Sequence, residues 1–187
     1  MARLTMTPFE ERFYPYLGST RRWSALREIN RLLAGKDKPL IVETGCVRRE
    51  GNWNGDGQST VLWDWYGGDT YSVDIDPEAC AVAQRLAPLV NVTCGDSVEY
   101  LTNFVRAEHI DLLYLDSYDY LPGFDAAAKH HLAELQTIWD RLPSGCIIAV
   151  DDCFNPTEGK GALVREWLAA QSCTPAYESY ITIWLKP

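Results

Sequence analysis

The strongest constraint on how this chain folds is a rhythm that begins at Pro39. Short apolar runs, most of them closing on an acidic residue, alternate with helix-like segments. The runs are Pro39 to Gly45 (PLIVETG), Thr70 to Asp76 (TYSVDID), Asn91 to Cys94, Ile110 to Asp116 (IDLLYLD) and Cys146 to Asp152 (CIIAVDD). They are continuously apolar, the mark of strands buried on both faces. Between them, Ser59 to Tyr66 reads as a helix capped by Ser59 or Thr60. Pro77 to Leu86, Ser97 to Phe104, Asp125 to Leu142 and Gly161 to Ala170 also read as helices. Five such alternations predict an α/β fold, a doubly wound and mostly parallel sheet with helices on both faces.

Both flanks differ from this core. Arg21 to Leu33 places Trp23, Leu26, Ile29 or Asn30, and Leu33 on one helical face, closed by Gly35. Ala176 to Leu185 is β-rich, with Ile181, Ile183 and Leu185 alternating against Thr182, Trp184 and Lys186, which predicts an antiparallel C-terminal edge strand. At 187 residues the chain is expected to form one domain, a helical cap over 1–38 and an α/β core over 39–187.

Charge and cysteine usage exclude several partners. The formal net charge of −9 argues against a nucleic-acid backbone, which is held by clustered Lys and Arg. Arg21, Arg22 and Arg27 read as a solvated helix face. No apolar run approaches the roughly 20 residues that span a bilayer, so no membrane partner is expected. Met1 to Phe13 has no apolar core, so no export signal is expected there. None of the six cysteines forms a CxxC pair, and they are expected to be reduced thiols in a cytoplasmic protein, with Cys94 and Cys146 as buried small hydrophobes.

In a sheet of this kind ligands bind beyond the carboxyl ends of the strands. Those ends read Glu43-Thr44-Gly45, Asp74-Ile75-Asp76, Gly95-Asp96, Asp116-Ser117 and Asp151-Asp152, and every one is acidic. A phosphate site calls for basic groups or backbone donors instead, and neither GxxxxGK[ST] nor GxGxxG is present. A carboxylate at the end of the second strand suits the vicinal hydroxyls of a ribose. Asp74 takes that role here, the other reading being a cap on the helix from Pro77. Asp76 is read as that cap.

The order Glu43-Thr44-Gly45, Gly57-Gln58-Ser59-Thr60, Asp74 and Gly95-Asp96 resembles the class I S-adenosylmethionine-dependent methyltransferases, from Pro39 to the C-terminus. The resemblance implies a Rossmann-like sheet with S-adenosylmethionine as cofactor. It implies cofactor contacts at Glu43, Gly45, Gly57, Ser59, Thr60, Asp74 and Asp96, with Asp74 on the ribose and Asp96 by the adenine. One departure is clear: about a dozen residues (CVRREGNWNGDG) separate Gly45 from Gly57, where the family turn is compact. The segment reads either as an ordered cover containing Trp53 or as a disordered insertion.

Asp116 and the pair Asp151-Asp152 should meet at one sheet edge. Clustered carboxylates repel, and one takes up a proton unless a cation sits among them. Oxygen-only ligands suit Mg²⁺ or Ca²⁺. LDSYDY from Leu115 and VDDCF from Val150 resemble the divalent-metal-dependent O-methyltransferases of the macrocin and cephalosporin-cluster type. That resemblance implies Mg²⁺ on Asp116, Asp151 and Asp152, holding the acceptor hydroxyl. Related catechol-type enzymes use a lysine base three residues after the fourth-strand Asp, where this chain has Asp119. His131 is an alternative base, because it shares the inward helix face with Leu135, Ile138 and Leu142, while His130, Glu134, Thr137 and Arg141 share the polar face. The other reading of His131 is a satisfied buried histidine. Tyr118 and Tyr120 read as acceptor-pocket or packing residues, Trp63 and Trp65 as core, and Trp184 as sheet or interface packing.

The expected function is therefore O-methylation of a small hydroxylated acceptor with catalytic Asp116 and His131, with no nucleic acid or membrane involved; a homo-oligomer is compatible with the sequence. The alternatives are a metal-independent methyltransferase, a non-catalytic cofactor-binding scaffold and, more remotely, a nicotinamide-dependent oxidoreductase.

Overall fold

In the computed structural model, residues 6–55, 58–119 and 124–187 are described. The sheet has five parallel strands, β1 (Ile41–Thr44), β2 (Thr70–Asp74), β3 (Asn91–Cys94), β4 (Leu112–Leu115) and β5 (Ile147–Val150), and β8 (Thr182–Leu185), which pairs antiparallel with β5. These six strands run in the order β3-β2-β1-β4-β5-β8. The doubly wound α/β sheet with an antiparallel C-terminal edge is thus present. The chain order reverses between β1 and β4, which is where such sheets open a crevice at their carboxyl ends.

Burial follows from strand position. β1, β4 and β5 are buried along their whole length, as their apolar runs require. β3, at the outer edge, exposes Asn91, Thr93 and Cys94, so Cys94 is not the buried thiol expected from its apolar neighbours. An edge strand this short and polar offers little to a stray partner. β8 also departs from the expected alternation. Ile181, Thr182, Ile183 and Trp184 are all buried, because helices cover both faces of this edge, and Leu185 is exposed.

On one face, α1 (Pro8–Leu17), α2 (Trp23–Leu33) and α3 (Ser59–Tyr66) place Phe9, Phe13, Leu26, Ile29 and Trp63 against Ile41, Leu112, Tyr114 and Ile147. On the other, α5 (Ser97–Asn103), α6 (Phe124–Ile138) and α7 (Ala162–Ala170) pack Leu101, Leu135, Ile138, Val164 and Leu168 on Val42, Leu113, Ile148 and Val150. The remaining helix, α4 (Pro77–Leu86), buries Ala79 and Ala83 beside Cys46 and Val47. The N-terminal helices are therefore one wall of the main core. Trp63 belongs to that core, but Trp65 lies on the outer side of α3 and is 46% exposed.

Local chemistry accounts for most helix ends. Thr7 and Glu10 form a reciprocal capping box on α1. Asp76 caps α4 through Glu78 N, and Asp96 caps α5 through Glu99 N. α3 starts differently from the expected Ser or Thr cap: Gln58 stands before it in the left-handed region, φ 54°, and Thr60 is diverted to another task. A small antiparallel hairpin, β6 (Cys153–Asn155) with β7 (Glu158–Gly159), follows β5 and is not foreshadowed by the apolar pattern.

Candidate active site

Parallel registry lines up the strand ends. Thr44 pairs with Val73 and Leu115, Asp74 with Cys94, and Leu115 with Val150. Gly45, Asp74, Asp96, Asp116 and Asp151 therefore stand in one row along the carboxyl edge. Gly45 lies at the reversal point with φ 79°, and a Cβ there would come 2.4 Å from the Asp116 carbonyl oxygen. Only glycine allows β1 and β4 to close at this height.

Asp74 is half-buried at the end of β2. Its Oδ2 accepts from Cys46 N at 3.0 Å and its Oδ1 from Asp76 N at 2.9 Å. An ionised carboxylate has about four lone-pair positions, so capacity remains for two hydroxyl donors. The exposed Asp96 gives one oxygen to its helix cap.

Glu43 sits one layer below. It is fully buried, its Oε2 accepting from Thr60 Oγ1 and Ser72 Oγ, both at 2.7 Å, and its Oε1 from Trp63 Nε1 at 2.8 Å. Burial pushes its carboxyl up to about 7, while hydrogen bonds with Ser59, Thr60, Ser72 and Trp63 oppose that rise. Thr60 Oγ1 in turn accepts from Val47 N at 2.9 Å. Glu43, Ser59 and Thr60 thus fix the turn after β1 from beneath. Gly57, expected as a cofactor contact, and Tyr120 lie outside the described residues.

The three carboxylates expected to bind a metal do meet, and three side chains that the sequence pattern does not place there meet them. Arg22 Nε donates to Asp151 Oδ2 at 2.6 Å and its Nη2 to Asp152 Oδ1 at 3.1 Å. Tyr114 Oη donates to Asp151 Oδ2 at 2.8 Å. The Lys160 ammonium is 1% exposed, ion-paired with Asp116 and 3.1 Å from Asp152 Oδ2. Arg22, expected on a solvated face, is 6% exposed. Burial alone would lower both cations, but the carboxylates raise Arg22 and Lys160 above their ordinary values. Burial and the neighbouring carboxylates push Asp116 up against the pull of Lys160 and Arg22. For Asp152, Lys160, a Tyr180 hydrogen bond and Arg22 outweigh burial and hold it low.

This arrangement does not suit a divalent ion. The carboxylates that would bind it already face two buried cations. At about 4 Å each unit repulsion amounts to about 4 kcal/mol at an effective dielectric of 20, twice that for a divalent charge. Among the described residues no cluster of three His, Cys, Asp or Glu side chains is arranged to hold a metal. Lys160 escapes a sequence reading because it lies nine positions after Asp151, on a hairpin that the apolar pattern does not announce.

His131 points inward, as its helix position predicts, and is fully buried. Its Nδ1 is 2.7 Å from the Ala127 carbonyl, its Nε2 has no partner among the described residues, and burial lowers it to about 4. It makes no hydrogen bond to the strand-end carboxylates. Its neighbour on the expected polar face, Glu134, is also fully buried, because α5 packs on α6 there. Glu134 accepts from Ser97 and Ser117 and lies 3.2 Å from His130 Nε2. Burial would raise it, but His130, His131, Ser117 and Ser97 hold it below the usual carboxylate range. The exposed Tyr118 ring lies 5.3 Å from that of His130.

The described part of the long turn after β1 is tied down at several points. The Trp53 ring stacks on Tyr16 at 4.8 Å, Gln58 Nε2 donates to Arg49 O at 2.6 Å, and Arg48 pairs with Asp119 at 2.7 Å. Asp119, standing where the related enzymes have a lysine, thus anchors the turn. Beside Asp152, at the β5–β8 end, opens a cleft of about 440 Å³ lined by Arg21, Phe154, Arg165, Tyr180 and Thr182.

Comparison with known proteins converges on one family. Residues 47–153, more than half of the chain, match a family model described as a methyltransferase domain. No curated protein matches the sequence. Among solved structures, the MycE methyltransferase from the mycinamycin biosynthetic pathway, in complex with Mg, SAH and mycinamycin VI, superposes with a TM-score of 0.62 at 12% identity. That match covers 95% of this chain and 53% of MycE, so the chain spans about half the length of that neighbour. The O-methyltransferase NovP matches with a TM-score of 0.60 at 14% identity, over 89% of this chain and 79% of NovP. The sugar N-methyltransferase KedS8 from Streptoalloteichus sp. matches with a TM-score of 0.57 at 13% identity, over 100% and 96%.

Proposed function

The chain belongs to the methyltransferase-domain family, and from that premise we propose that it transfers a methyl group from S-adenosylmethionine to a hydroxyl of a small molecule. The observation that carries the reading is the row Gly45, Asp74, Asp96 and Asp116 at the point where the sheet reverses. Asp74 would hold the ribose hydroxyls with its unused lone pairs, and Asp96 and Ser97 would flank the base. Gly45 and Cys46, held from below by Glu43 and Thr60, would line the amino-acid part. S-adenosylmethionine supplies the methyl on a sulfonium, already activated for displacement.

What remains for the protein is alignment and the acceptor's proton. Asp116, at the end of β4, would accept the hydrogen bond of the acceptor hydroxyl, orient it and take its proton as the methyl transfers and S-adenosylhomocysteine is left. The cleft beside Asp152 would take the rest of the acceptor, with Phe154 and Tyr180 as apolar walls. His131 is read as a neutral packing group, since Ala127 fixes its ring and it makes no hydrogen bond to the strand-end carboxylates. The solved neighbours include an O-methyltransferase and an N-methyltransferase; the carboxylate lining favours a hydrogen-bond donor such as hydroxyl. Magnesium assistance, implied by the resemblance to metal-dependent enzymes, fits poorly beside Lys160 and Arg22, and the reading adopted is metal-independent. Isothermal titration with S-adenosylhomocysteine tests the reading. Stoichiometric micromolar binding is expected, and no heat at high micromolar ligand would refute it.

A further inference from the structure

We infer that Lys160 is a built-in cation occupying the seat of a divalent metal, and that with Arg22 it clamps the acceptor-orienting carboxylates in place of that ion. The inference rests on the methyl-transfer reading and names the residue that replaces the metal in it. Lys160 bridges Asp116 after β4 and Asp152 after β5, two of the carboxylates that a metal at this edge would bridge. Arg22 bridges Asp151 and Asp152 from the other side. With the three carboxylates ionised, a divalent ion among them leaves one negative charge, and two monovalent cations leave the same. The electrostatic requirement of the cluster is met by side chains.

The backbone is shaped to deliver this lysine. Gly159 has φ 102°, and a Cβ there would come 2.2 Å from the Asp152 carbonyl oxygen; a Cβ on Gly161 would strike Cys153 Sγ at 2.4 Å. The hairpin can therefore fold tightly over β5 only with glycine on either side of Lys160. Lys160 N donates to the Asp152 carbonyl at 3.2 Å, and Asp152 itself is held at φ 52°, a strained region for aspartate. With its ammonium 1% exposed, Lys160 does not reach the acceptor; Asp116, 16% exposed, does, so Lys160 is a positioning residue acting through Asp116.

The test is a Mn²⁺ titration of the full chain, read by electron paramagnetic resonance. The wild type should bind no stoichiometric Mn²⁺ up to millimolar concentrations, and its turnover should survive EDTA. Lys160→Met and Lys160→Ala, checked for folding by thermal melting, should vacate the seat and bind Mn²⁺ roughly tenfold or more tightly than wild type. Lys160→Arg should restore the wild-type behaviour. One tight Mn²⁺ per wild-type chain, lost in Asp116→Asn, would overturn the inference. So would folded Lys160→Met and Lys160→Ala proteins that bind Mn²⁺ no better than wild type. Should both variants unfold, the wild-type titration still decides between a seat filled by lysine and a seat open to metal. Loss of S-adenosylhomocysteine binding is read in a separate titration and would refute methyl transfer, not the cation clamp.

Discussion

Arg22 Nε donates to Asp151 Oδ2 at 2.6 Å, joining residues 129 positions apart in the chain. The contact ties the start of α2 to the end of β5, so the helical N-terminal segment and the carboxyl edge of the sheet are joined through buried ion pairs. Removing one partner of such a pair leaves the other charged and desolvated, which costs about 3–5 kcal/mol. Arg22→Ala should lower unfolding stability by that amount in urea titration. Arg22→Lys should recover only part of it, because an ammonium cannot reproduce the fork that reaches both Asp151 and Asp152.

Gly45 is the second point where the site depends on one residue. Alanine there would combine left-handed backbone strain with a contact at 2.4 Å to the Asp116 carbonyl. Gly45→Ala is expected to cost at least about 2 kcal/mol and to push β1 from β4. Its melting temperature should fall, with a further drop in S-adenosylhomocysteine affinity. A Gly35→Ala control, at positive φ but in open space, should show strain without the affinity loss.

Much of this site is legible in the sequence, and the reason is periodicity. β1, β4 and β5 are buried on both faces, so their apolar runs are unmistakable, and the acidic residues that close β2, β4 and β5 mark the carboxyl edge. What the sequence hides depends on tertiary partners. Glu134 and Arg22 look like solvated charges on helix faces, yet α5 covers one and β5 the other. Lys160 follows a two-residue strand too short to carry a pattern. Trp65 and Cys94 depart in the opposite direction: both are apolar by type but exposed, one on the outer side of α3 and the other on the edge strand β3. A linear pattern records which side of an element is apolar, not which neighbour packs on its polar side.

Glu43 gives a pH dependence with a definite sign. Burial raises its carboxyl from 4.5 to about 7 in the folded state. The native protein therefore binds more protons than the unfolded chain between those values, and stability falls as pH rises through that window. Glu43's share is about 3 kcal/mol, present in full below pH 4.5 and gone above about 7. Glu43→Gln should remove this slope. The difference between wild-type and variant unfolding free energies, measured by urea titration from pH 4 to 8, isolates it from the opposite trends of other groups. A difference curve that is flat across the window would show that Glu43 stays ionised, held by its hydroxyl and indole donors.

Asp74 separates cofactor binding from folding. It is half-buried, and its hydrogen bonds with Cys46 N and Asp76 N order the turn after β1 and the start of α4. An asparagine keeps its shape but has one acceptor oxygen, so it satisfies either Cys46 N or Asp76 N and has little left for a ribose. A hydrogen bond to a charged acceptor contributes about 1.5–3 kcal/mol, so Asp74→Asn should weaken S-adenosylhomocysteine binding by roughly ten- to a hundredfold. The melting temperature should also fall, by the equivalent of the one backbone hydrogen bond that asparagine leaves unmade. Asp76→Ala is the matched control: it removes the cap on Glu78 N and should cost about 1 kcal/mol of stability, with affinity unchanged. An equal affinity loss in Asp76→Ala would trace the effect to the start of α4, and Asp74→Asn protein that binds S-adenosylhomocysteine as tightly as wild type would show that the carboxylate does not hold the ribose.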